Sequence, residues 1–96
     1  MKRSEFFRKI EDAITATTQR SSNGSFDGCI AVEQAKELGL FLPVEVQEHE
    51  SKNPVVRVME TIGWNRRNAR PNPVQEIALL EEAWEHYQEH EKRAST

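Results

Sequence analysis

Cysteine occurs once in the 96 residues, at Cys29. One thiol forms no bridge within the chain, so an oxidising compartment offers it nothing, and the expectation is a cytoplasmic protein. Long apolar runs are missing as well. None approaches the ~20 residues that a membrane-spanning helix needs, and Met1-Lys2-Arg3 opens onto an amphipathic pattern instead of a signal-peptide core. No membrane partner is expected. Alternating strand patterns are nearly absent. G-x-x-x-x-G-K-[ST], G-x-G-x-x-G and C-x-x-C do not occur, which leaves no phosphate-cradling loop and no dithiol couple.

What is present is charge, sorted by segment. The net charge of -3 and pI near 5.6 argue against a nonspecific polyanion binder, whose domain would be basic with a pI above about 9. Residues 1 to 20 carry five basic and three acidic side chains, a net of +2; residues 21 to 51 carry one and six, a net of -5. Residues 52 to 73 return to +4, with Lys52, Arg57, Arg66, Arg67 and Arg70 against Glu60, and residues 74 to 96 fall to -4. Such segregation suits a contact made by one face.

The periodicity is helical. Phe6, Phe7, Ile10, Ala13, Ile14 and Thr17 predict a helix over about 4 to 19, capped by Ser4. The turn dipeptides Asn23-Gly24 and Asp27-Gly28 make 20 to 28 a loop, in which the sequon Asn23-Gly24-Ser25 is an accident of turn composition. Ile30, Ala31, Val32, Ala35 and Leu38 mark a second helix, closed by Gly39. Leu40, Phe41, Leu42 and Val44 form the densest apolar cluster and are assigned to the core, with Pro43 in a brief turn. Asn53-Pro54 starts a third helix, because asparagine caps the first turn and proline at the first position loses no needed hydrogen bond. That helix, about 54 to 62, buries Val55, Val58, Met59 and Ile62 and is expected to stop at a left-handed Gly63. The same start signal recurs at Asn72-Pro73 and opens a helix over about 73 to 92. Glu76 in its first turn suits the helix dipole. Ile77, Leu80, Trp84 and Tyr87 form its apolar stripe, directed inward or onto a partner.

The expected architecture is therefore mainly α, a single domain over residues 1 to 96. It is a small bundle of about four helices with a helix-turn-helix-like central unit and a long C-terminal helix.

Two arrangements touch on catalysis. His86-Tyr87-Gln88-Glu89-His90 fits H-x-x-E-H, the pattern of zinc peptidases with two histidines one turn apart beside a glutamate. Such a site needs a third ligand and a cleft, and both histidines fall roughly opposite Trp84 on a face rich in glutamate, so a solvated surface is the reading and no metal is assigned. Cys29, near the start of the second helix, has no histidine close to it in sequence and reads as a small buried core residue. No catalytic residue and no cofactor is assigned, and the chain reads as a non-enzyme.

The most informative stretch is the segment after Gly63. Trp64, Arg66, Arg67 and Arg70 fall within seven residues and are closed by Pro71 and Pro73, which reads as an irregular aromatic and basic arm, residues 63 to 72. Tryptophan and arginine are the residues most enriched in interface hot spots, so these six positions are the candidate partner-binding residues. The bland alternative is that Trp64 covers the end of the core while the arginines pair with the chain's own carboxylates. A second alternative is a helix-turn-helix-like DNA-binding regulator with Lys52, Arg57, Arg66 and Arg67 on phosphates. Four such contacts would give a logarithmic salt slope near about -3.6. In a flexible loop the bonds to Pro71 and Pro73 populate cis at about 5 to 30%, which makes a prolyl isomerase a further candidate partner.

Val55-Val56-Arg57-Val58-Met59-Glu60-Thr61-Ile62-Gly63-Trp64-Asn65-Arg66-Arg67 resembles the segment near the end of virulence-associated protein E type primase-helicases of phages and mobile islands, in which a helix leads into Leu-Gly-Trp and a basic pair. The resemblance covers about residues 31 to 70, since the Ala31 to Gly39 helix is compatible with the same unit. It implies a helical platform of phage or mobile-element origin. It transfers no activity, because the helicase motor is missing and Pro71-Asn72-Pro73 turns into an acidic helix where the family continues into an aromatic, strand-like wing. The expected function is that of a small accessory protein that modulates a host DNA replication, recombination or nuclease complex.

Overall fold

The computed structural model describes residues 1–22, 26–40 and 53–94. Four helices follow one another: α1 (Arg3–Arg20), α2 (Gly28–Glu37), α3 (Pro54–Arg67) and α4 (Pro73–Ala94). The Asn23-Gly24-Ser25 sequon, Phe41 to Val44 and Lys52 lie outside the described residues.

Local chemistry sets most of the helix boundaries. Asn53 accepts a hydrogen bond from the Val55 amide at 2.8 Å with Pro54 at the first position, and Asn72 accepts one from the Gln75 amide at 3.2 Å with Pro73 behind it. Each cap answers one of the amides left unpaired at a helix start. The start of α2 uses the same device, with Asp27 Oδ1 accepting from Cys29 at 2.8 Å and Ile30 at 3.3 Å. Ser4 is not a cap: α1 begins at Arg3, one residue earlier, and its cap position, Lys2, makes no side-chain hydrogen bond. The stop at Gly39 is as expected, with φ +72°.

The inward faces meet in one core. Phe6, Ile10, Ala13, Ile14 and Thr17 of α1 are buried against Ala31 and Ala35 of α2 and Val55, Val56, Val58, Met59 and Ile62 of α3. Burial of each large side chain contributes about 1.5 to 3 kcal/mol. Leu40 is fully buried. Thr17, inside the core, donates its hydroxyl to the Ala13 carbonyl at 2.7 Å, which removes the cost of burying it. α1, α2 and α3 pack on one another in pairs, and α4 lies mainly along α3.

An aromatic cluster ties α4 to α1. The Phe6 ring lies 5.2 Å from both Trp84 and Tyr87, and Trp84 stacks on Tyr87 at 6.0 Å. The stripe on α4 is thus divided: Trp84 and Tyr87 are buried, Leu80 is half-buried, and Ile77 is 59% exposed. The cluster engages α4 about three turns into the helix, which leaves Val74 and Ile77 in the first turns outside the core.

Candidate functional site

α3 runs one full turn past the expected stop. Gly63 is helical and buried, and Trp64, Asn65, Arg66 and Arg67 form the last turn. Gly63 is needed for close approach: a Cβ there would stand 2.5 Å from the Phe26 ring, less than any real contact allows. The left-handed residue is Ala69, at φ +53°. The Ala69 amide donates to the Arg66 carbonyl at 3.2 Å and the Arg70 amide to Asn65 at 2.9 Å. That pair of bonds is a Schellman closure, here made with alanine where glycine is usual. The irregular arm thus contracts to residues 68–72 between two helices.

The next hydrogen bonds tie this corner to α4. Glu76 accepts from the Asn72 amide at 2.8 Å and from the Asn65 side chain at 3.3 Å. One carboxylate therefore bridges the end of α3 and the start of α4.

The basic residues divide into two sets. Arg66 donates from both terminal nitrogens to Glu11 of α1, at 2.8 and 2.7 Å. That fork holds its guanidinium more firmly protonated than usual, with the Glu11 hydrogen bonds as the main cause, partial burial opposing, and the Glu11 and Glu76 charges assisting. Arg57 reaches Glu82 of α4 at 3.5 Å. Among the described residues no carboxylate pairs with Arg67 or Arg70. The Arg67 guanidinium instead lies over the Trp64 ring, 6.0 Å from its centroid, near the outer limit of a cation–π contact.

Trp64 is 59% exposed, so it does not cover the core. With Val74 and Ile77 it completes the large hydrophobic side chains that the described residues expose, and all three flank the 68–72 turn. Pro71 and Pro73 are exposed in the same corner, and every described peptide bond is trans. The candidate partner residues Trp64, Arg66, Arg67, Arg70, Pro71 and Pro73 thus share one corner, to which Val74 and Ile77 are additions. Arg57 is held away at Glu82, and of the four residues considered for phosphate contact only Arg66 and Arg67 belong to this corner.

A cleft of about 350 Å³ opens beside the corner, between α1 and the end of α3. Ile14, Phe26 and Gly63 line it with Thr15, Thr18 and Gln19, and Arg66 and Arg67 stand on it. A shallower depression on the other side of Phe26 is lined by Glu60, Trp64, Asn65 and Gln75.

Cys29 is exposed, contrary to the buried position expected of a free cysteine. The inward line of α2 runs through Ala31, Gln34 and Ala35, and Cys29 in the first turn lies off it. It opens onto an α2–α3 depression shared with Glu60, whose carboxyl is pushed above its ordinary value by burial. His86 and His90 stack at 4.1 Å, with His90 Nδ1 3.0 Å from the His86 carbonyl. Among the described residues no three of histidine, cysteine, aspartate or glutamate are grouped to hold a metal ion. None of the described helices is long and apolar enough to cross a membrane.

No family model, curated protein or solved structure matches this chain.

Proposed function

We propose that the chain is a small non-catalytic binding protein, encoded by a phage or mobile element, that modulates a host DNA replication, recombination or nuclease complex through protein contacts in the cytoplasm. The observation that carries this reading is Trp64, 59% exposed beside Arg67 and Arg70, which have no carboxylate partner among the described residues. A water-exposed indole gains free energy when a partner covers it, and tryptophan and arginine dominate interface hot spots. Val74 and Ile77 extend the apolar surface across the turn. The resemblance of residues 55 to 67 to the primase-helicase segment supplies the DNA-processing context.

The DNA-binding alternative draws on Lys52, Arg57, Arg66 and Arg67. Arg57 and Arg66 are already paired with Glu82 and Glu11, and Glu76 sits at the centre of the corner. A phosphate backbone would have to displace the first two and lie beside the third, which favours a protein ligand.

The test is affinity capture from bacterial lysate with and without nuclease, using wild type and a Trp64→Ala, Arg66→Ala, Arg67→Ala variant. The expected result is a DNA-processing protein retained after nuclease treatment and lost with the variant. Nuclease-sensitive nucleic acid in place of a protein would overturn the proposal.

A further inference from the structure

The cleft between α1 and α3 gives the partner a chemistry, on the reading that this corner binds protein. Its floor is apolar, made by Ile14, Phe26 and Gly63. A volume of about 350 Å³ stands at the lower end of the ~300 to 1,000 Å³ that ligand clefts span, which is room for one large side chain. Among the described residues no carboxylate lines it, and two guanidiniums do. Arg66 spends two of its N–H donors on Glu11 and keeps the others, the guanidinium having about five in all. Among the described residues Arg67 is held only by the Trp64 face at 6.0 Å, a contact worth about 0.5 to 1 kcal/mol when exposed, so it turns to a new anion at little cost.

Besides the two arginines, the polar lining of the cleft is Thr15, Thr18 and Gln19. Thr15 donates its hydroxyl to the Glu11 carbonyl at 3.0 Å and Thr18 to the Ile14 carbonyl at 2.9 Å, so both donors are already spent on their own helix. A nucleobase would have to find partners for its polar edge in Gln19 and the two arginines, and each group left unpaired against Ile14 and Phe26 costs about 1 to 3 kcal/mol. A leucine or phenylalanine side chain has no such edge, and a tryptophan has a single N–H.

We infer that this cleft receives an acidic segment of the partner protein, with one large apolar side chain seated against Ile14 and Phe26 and a neighbouring carboxylate on Arg67, which has no carboxylate to give up among the described residues. Charge complementarity supplies orientation and rate, and the apolar anchor supplies most of the affinity.

The test is fluorescence anisotropy with four labelled probes: a short peptide with a central tryptophan flanked by glutamates, its Trp-to-Ala counterpart, the same tryptophan flanked by lysines, and a single-stranded oligonucleotide. Only the first is expected to bind, with affinity falling at least tenfold for Arg67→Ala and for Thr15→Phe, which fills the cleft and leaves both arginines in place. Circular dichroism and melting of the two variants verify the fold, and amide shifts of Phe26 and Gly63 on titration locate the peptide. Equal binding of the alanine counterpart, preferential binding of the oligonucleotide, or no binding of the first probe would overturn the inference. Thr15→Phe also separates this inference from the broader reading. If it still captures the lysate partner and the Trp64 triple variant does not, the cleft assignment falls and the protein-binding corner stands. If the triple variant captures the partner as well as wild type, the broader reading falls.

Discussion

The Phe26 ring occupies the space that a side chain at Gly63 would need, with its nearest carbon 2.5 Å from a Cβ built there. This contact sets Phe26, just before α2, against α3 at the start of its last turn and forms part of the floor of the cleft.

Gly63→Ala is therefore expected to destabilise the fold. Alanine gains up to about 1 kcal/mol of helix propensity over glycine, and overpacking against an aromatic ring costs about 1 to 3 kcal/mol, so the steric cost wins. Thermal melting should show a loss of several degrees, and Phe26→Leu in the Gly63→Ala background should recover part of it. A melting temperature raised by Gly63→Ala would show that the approach is not close.

Ala69 holds a position that an L side chain resists. Ala69→Gly should stabilise the protein by about 0.5 to 1 kcal/mol, because glycine adopts the left-handed region without steric cost. The same closure at the end of α2 uses Gly39, with Gly39 and Leu40 donating to Lys36 and Ala35, and there Gly39→Ala should cost a similar amount. Urea denaturation of the two variants should give shifts of opposite sign.

The Glu60 carboxyl is pushed up by burial against the start of α2. With the folded pKa above the unfolded one, the folded state holds the proton more tightly. Glu60 thus favours folding below the unfolded glutamate value of about 4.3, and this contribution is lost as pH rises through the higher folded value. Glu60→Gln should therefore melt higher than wild type at pH 7 and approach it at pH 4. An advantage that grew on acidification would contradict this sign.

Glu11 holds both terminal nitrogens of Arg66, and both side chains are about half exposed. Removal of such a pair costs about 0.2 to 1 kcal/mol, since solvent screens it. Glu11→Gln should leave the melting temperature within a few degrees of wild type and strengthen binding of the tryptophan and glutamate peptide, because it releases Arg66 and removes a repelling carboxylate. Weaker binding with unchanged stability would indicate that Glu11 positions Arg66 for the ligand.

The helix starts at Asn53-Pro54 and Asn72-Pro73 were legible because a cap is a local event: the asparagine oxygen and the amides it serves lie within three residues. The inward face of α1 was legible for a related reason, since its period alone sorts Phe6, Ile10, Ala13, Ile14 and Thr17 together. The end of α3 was not. Glycine serves both a left-handed turn and a close approach, and only Phe26, 37 positions earlier in the chain, decides that Gly63 serves the second. Ala69 carries no local signal for a left-handed residue. On α4 the period placed Ile77 with Trp84 and Tyr87, but how far a stripe stays covered depends on where Phe6 meets it. For the candidate site, the residue types around Trp64 were readable, whereas the pairing of Arg66 with Glu11, 55 positions away, was a property of the fold.

The measurement that bears most directly on the central claim is site-specific photo-crosslinking in bacterial cells, with Trp64→p-benzoylphenylalanine compared with Glu37→p-benzoylphenylalanine on the exposed end of α2. The account predicts one discrete, nuclease-resistant protein adduct from position 64 and none from position 37. Nucleic-acid adducts at position 64, or the same protein adducts from both positions, would contradict it.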